Sequence, residues 1–165
     1  MRTLILFFGL LFAINVSAQQ KQPPMPPEAR QFDFWIGEWD LTWKGGKGSN
    51  TITAILDSAV IQEVFDAPGF KGRSLSTFHR RKNQWHQTWV DNTRGYLDFV
   101  GGMEGDRMIL SRTAKTDTSE FLQRMMFYNI TADSLDWNWE QSNDEGKTWK
   151  LMWQIKYKRK QTDAK

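Results

Sequence analysis

The chain is 165 residues long, has no cysteine and nine tryptophans, and carries a formal charge of +3 from 22 basic and 19 acidic side chains. The length suits one domain, and the missing cysteine excludes disulfides, iron–sulfur clusters, thiolate zinc sites and lipidation through a cysteine. A charge so near balance makes no case for nucleic acid or an anionic membrane as partner.

Residues 1–18, "MRTLILFFGLLFAINVSA", join Arg2 to an apolar run from Leu4 to Ile14 and a small-residue exit, Val16-Ser17-Ala18. The run is too short for a bilayer, which takes about 20 residues, and the layout predicts a secretory signal peptide. The mature protein is expected to be exported, periplasmic or extracellular, with no integral membrane segment. Residues 19–31 open with "QQKQPPMPP", whose prolines exclude regular helix and central strand, and read as a Pro/Gln-rich linker. One or two helical turns are expected over 28–35.

From Gly37 onward the apolar period is two. Strands are predicted over 38–44, 51–57, 60–67, 73–79, 84–91, 96–103, 107–114, 121–130, 135–142 and 148–158. The clusters between them, "GGKGSN", "PGFKG", "RRKN", "NTRG", "EGD" and "KTDTSE" among them, read as turns rich in Gly, Asn, Asp or Pro. Short connections make neighbouring strands antiparallel. So many meandering strands leave two long unpaired edges unless the sheet closes. The predicted fold is therefore all-β: a single up-and-down antiparallel barrel of about ten strands over 32–158, with a short N-terminal helical turn and a disordered tail at 159–165. In "FDFWIGEWDLTW" (32–43), Gly37 is expected to bend the chain so that Trp39 covers one end, with Phe32, Phe34 and Trp35 as a lid beneath.

Chemistry-bearing residues are sparse. There is no G-x-S-x-G, and the two histidines, His79 and His86, lie seven residues apart beside "RRK", a cationic setting that disfavours a metal. No metal and no cofactor are expected. Tryptophan and methionine walls with a few polar anchors suit a small-molecule cavity. Trp39, Glu63, His86, Arg112, Arg124 and Trp137 are the candidate pocket residues. Period two alone does not say which face is inside when both are amphipathic. The leading expectation is an interior that binds a small apolar or amphipathic molecule. The alternatives are a barrel enzyme using His86 with a carboxylate (Glu63, Asp91 or Asp98) and a structural envelope protein with a filled barrel.

The opening Trp35-Ile36-Gly37-Glu38-Trp39 resembles the G-x-W start of calycin barrels, the group that includes lipocalins and fatty-acid-binding proteins. "FDFWIGEWD" (32–40), with "WVDNTRGYLDFVGG" (89–102), resembles a family of exported bacterial domains of unknown function. That likeness implies a barrel over roughly 32–157 and no established reaction. The nitrobindins, a neighbouring group, hold haem through a histidine near the C-terminus. The last predicted strand here has none, so that resemblance carries no haem. "SNDEGKTW" (142–149) is similar to the Asp box of sialidase propellers, which implies a closed hairpin turn.

Overall fold

The computed structural model describes residues 25–161. The expected signal peptide, residues 19–24 of the linker and residues 162–165 of the tail lie outside the described residues. Two short 3-10 turns, Pro27–Arg30 and Asp33–Trp35, fall where helical turns were expected. Ten strands follow: β1 (Gly37–Trp43), β2 (Gly46–Ile55), β3 (Val60–Ala67), β4 (Phe70–His79), β5 (Gln84–Asp91), β6 (Tyr96–Glu104), β7 (Arg107–Lys115), β8 (Glu120–Tyr128), β9 (Ser134–Ser142) and β10 (Lys150–Arg159).

Each strand pairs antiparallel with the next, and β10 returns to β1, so the sheet is one closed up-and-down barrel. The closing seam sets Trp39 opposite Arg159 and Leu41 opposite Tyr157. Closure leaves no unpaired edge, which is what a long meander requires.

Two strands, β2 and β4, begin well before the sequence suggested, the others within two residues. The clusters "GGKGSN" and "PGFKG" were expected to be turns, yet Gly46, Gly48 and Asn50 belong to β2, and Phe70 and Gly72 to β4. The reason is space. A Cβ at Gly46 would run into the Trp43 ring, and one at Gly72 into the Trp89 ring. Indoles lie across these glycines, so here glycine marks close packing within a strand. At the other terminus β10 runs to Arg159, one residue past the predicted end, and the Lys160 N–H still donates to the Glu38 carbonyl at 2.9 Å.

One end of the barrel is plugged. Phe32 is fully buried, stacked on Trp35 with ring centroids 5.0 Å apart and set edge-on to Trp85 and Phe127 at 5.3 and 5.2 Å. Trp85 donates its indole N–H to the Glu28 carbonyl, and Trp39 donates to the Trp35 carbonyl. Phe32 and Trp35 thus make the plug, while Trp39 points inward and braces it. Gly37 has a φ of +135°, and a Cβ there would strike the Arg159 guanidinium. That guanidinium lies 4.1 Å over the Trp39 ring and donates to the Ile36, Phe34 and Ala132 carbonyls at 2.9, 3.4 and 2.7 Å. The bend into β1 is therefore locked by one arginine from the closing strand.

The outer wall is polar at the seam, with Glu38, Asp40 and Thr42 on β1 beside Lys156 and Lys158 on β10. A lipid-facing strand would instead carry an apolar band there. Among the described residues no helix is long and apolar enough to cross a membrane.

Candidate functional site

The barrel is hollow above its plug. A cavity of about 250 Å³ extends from Trp35 and Phe127 at the base to Phe70, Asp91 and Leu97 at the opposite end. Its waist is formed by Trp89, Phe99, Trp137, Trp139 and Trp153. Every one of these comes from the inner parity of its strand: Trp137 and Trp139 alternate along β9, and Trp139 pairs with Trp153 of β10 and Met125 of β8. Trp137 and Trp139 lie nearly parallel at 6.4 Å, and Trp153 meets Trp137 edge-on at 5.8 Å. Although they point inward, Trp89, Trp137, Trp139, Trp153, Phe70 and Leu97 are only half-buried. Their remaining apolar surface faces the cavity without a packing partner, which leaves dispersion and hydrophobic energy for an occupant to recover.

A polar cluster lies near the base. Glu63 on β3 is 5% exposed. Its Oε1 accepts from Asn50 Nδ2 at 2.7 Å and its Oε2 from Ser74 Oγ at 2.5 Å. Asn50 Nδ2 also donates to the Tyr157 hydroxyl at 3.2 Å. Burial pushes the Glu63 carboxyl up to about 7, against the pull of the Ser74 and Asn50 hydrogen bonds. Burial, then the Glu63 charge, raises the Tyr157 hydroxyl well above its ordinary value. Hydrogen-bonding capacity remains unused here: the Asn50 Oδ1 is buried without a partner, and the Trp35 indole N–H lies beside the Tyr157 hydroxyl without a well-directed bond. Gln87 completes this wall, its amide donating to Ser76 Oγ at 2.9 Å.

At the far end Asp91 is held low, at about 2, by hydrogen bonds from the Thr93 hydroxyl, the Trp89 indole and the Gly95 and Thr93 backbone amides. It is a fixed negative charge that also orients the Trp89 ring.

The six residues singled out from sequence divide accordingly. Glu63 and Trp137 line the cavity. Trp39 points inward but belongs to the plug. Arg112 lies on the inner parity of β7, donates to Gln123 Oε1 at 2.8 Å, keeps a buried Nε without a partner, and does not line the cavity. His86 and Arg124 are corrections, because both lie on the outer wall. His86 alternates with the inward Trp85 and Gln87 and pairs with outward Thr77 and Val100. Its ring stands 5.4 Å from His79 and 3.1 Å from the Gln84 amide, and burial, then His79 and Lys82, lowers its pKa. Of the three carboxylates expected beside His86, Glu63 and Asp91 face the interior, while Asp98 shares the outer face and accepts from the Thr88 hydroxyl at 3.0 Å rather than from His86.

Arg124 grips Glu140 at 2.7 Å under the Trp149 ring, 3.9 Å from its centroid, and Asn138 donates to the same carboxylate at 3.0 Å. This second, outer buried layer explains why the sequence misplaced Arg124: both faces of β9 are covered. The Ser142–Trp149 segment closes the β9–β10 hairpin, with Asp144 accepting from Ser142, the Thr148 amide and the Thr148 hydroxyl, and Trp149 donating to the Gly146 carbonyl.

Sequence reasoning passed over Trp89, Trp139, Trp153 and Asn50. Trp139 shares the inward parity of Trp137, which was chosen, whereas on β5 the choice of His86 fell on the face opposite Trp89. Asn50 was hidden inside a cluster read as a turn. Among the described residues no group of three metal-ligating side chains converges. No family model matches the chain, and no curated protein matches it either.

Proposed function

We propose that this protein is an exported, calycin-like barrel that holds a small apolar or amphipathic molecule in its interior. The observation that carries this reading is the hollow, indole-walled cavity of about 250 Å³ with the Glu63 carboxyl and the Tyr157 hydroxyl among its lining groups. Its volume lies just below the roughly 300–1,000 Å³ usual for ligand pockets, so the occupant is small. Aromatic walls take the apolar body of the ligand, and Glu63 and Tyr157, both held by Asn50 from behind, take its polar end. A filled structural barrel has no such void, and His86 stands across the wall from Glu63 and Asp91, the carboxyls that line it. Export is supported by the layout of residues 1–18, and the calycin-like reading by the G-x-W opening that here leads into the plug.

The test is titration of the purified domain with a panel of fatty acids, retinoids, aromatic alcohols and hydrophobic amines, followed by tryptophan fluorescence and thermal melting. Because several indoles line the cavity, occupancy is expected to change the emission and raise the melting temperature. Silence by both readouts across the panel overturns the reading.

A further inference from the structure

We infer that the cavity selects a small organic cation, a tertiary or quaternary ammonium group on an apolar body, with Glu63 as its counter-ion. This inference rests on the ligand-holding reading above and narrows its ligand class.

Three observations converge. First, the wall is mainly aromatic, and indole faces attract cations through their quadrupoles. Second, the only ionisable lining groups apart from the phenol Tyr157 are two carboxyls, Glu63 near the base and Asp91 at the far end; among the described residues no lysine, arginine or histidine lines the cavity. The chain as a whole is slightly basic, so this negative interior is local. Third, each Glu63 oxygen accepts a single hydrogen bond from the protein, one from Asn50 and one from Ser74. A carboxylate has about four lone-pair sites, so acceptor capacity remains for a guest. An anionic ligand would meet two carboxyls and no compensating charge. A neutral one would leave the quadrupoles and the carboxylate unused.

The groups around Glu63 allow it to act alone. Asn50 comes from β2, Ser74 from β4, Gln87 from β5, Tyr157 from β10 and Trp35 from the plug. Of these only Tyr157 titrates, and its hydroxyl stays protonated through the neutral range. Arg112 also points inward, but it is turned to Gln123 and lies outside the lining. Cation binding requires the Glu63 carboxylate, so affinity should rise with pH through the neutral range even for a guest that cannot itself titrate.

The experiment is calorimetric titration with three matched probes: benzyltrimethylammonium, its neutral carbon isostere neopentylbenzene, and phenylacetate. At about pH 8 the cation is expected to bind at least about tenfold more tightly than either other probe, the order of one or two desolvated cation–π contacts. Its affinity should fall about tenfold or more by pH 5, as Glu63 takes up its proton. In Glu63→Gln the preference should shrink and the pH dependence flatten, with neopentylbenzene unaffected. Circular dichroism checks that the variant folds; if it does not, the wild-type probe order and pH profile still decide. Equal or tighter binding of the neutral or anionic probe, or a flat wild-type pH profile, overturns the cation assignment and leaves the ligand-holding reading standing. If none of the three probes nor any member of the broader panel binds, both fall.

Discussion

Glu63 is the residue on which stability and function pull in opposite directions. Its carboxyl titrates near 7 in the folded protein and near 4.3 in an unfolded chain. Between those values the folded state holds the proton that the unfolded state has released. This contribution is fully present below the unfolded pKa and is lost as pH rises through the folded one. At about 1.4 kcal/mol per pH unit, the loss amounts to roughly 2–4 kcal/mol by pH 8. Glu63→Gln keeps an acceptor for Asn50 and offers Ser74 an N–H where the neutral acid offers its O–H. It is expected to be more stable than wild type at pH 8, equal to it near pH 4, and nearly free of the slope between. Denaturant unfolding at several pH values checks this, and a wild-type curve without that slope contradicts it. Arg159 is the second residue with a clear assignment. Its planar fork reaches three carbonyls while stacking on Trp39. Arg159→Met should cost about 2–4 kcal/mol, since it strands several acceptors, and Arg159→Lys should restore only part of that loss. Melting of the two variants separates a planar-fork role from simple charge.

At the scale of elements, the period-two pattern carried most of the fold. Strands such as β3 and β5 fall where predicted because their alternation is clean and their turns are polar. The two largest boundary errors, at the starts of β2 and β4, share one cause. Glycine was read as turn chemistry where it makes room for an indole on the neighbouring strand. That distinction depends on a contact across the sheet, which a local pattern does not contain. Gly72→Ala tests it directly. The added methyl must push the Trp89 ring, so the variant should lose about 1–3 kcal/mol and bind apolar probes more weakly, because that ring forms part of the cavity wall. Gly102, where a Cβ meets open space, is the control: Gly102→Ala should change stability by no more than about 0.5 kcal/mol. Equal effects at both positions would refute the packing role of Gly72. The assignment of faces was the other weak point. On β9, Asn138, Glu140 and Ser142 are buried on the outside while Trp137 and Trp139 face the cavity. A strand covered on both faces gives no alternation by which to choose its inner side. For β5 the choice was readable: once Trp85 and Trp89 are placed inside, His86 is outside.

For the whole molecule, a disulfide-free chain closes its sheet, plugs one end with Phe32 and Trp35, and leaves the space above unfilled. Closure was deducible from strand number and loop length. The void was not, because it depends on how ten inner faces meet at one waist. Maintaining it is costly, since half-buried indoles forgo contacts that a filled core would make. That cost is understandable if a ligand supplies the missing contacts. The most direct measurement is a crystal structure of the barrel domain grown with a bromobenzene-class probe, read from its anomalous bromine signal. The account predicts a bromine peak inside the barrel, between Trp89, Trp137 and Trp153. An interior closed by collapsed side chains, or a peak found solely on the outer wall, would contradict it.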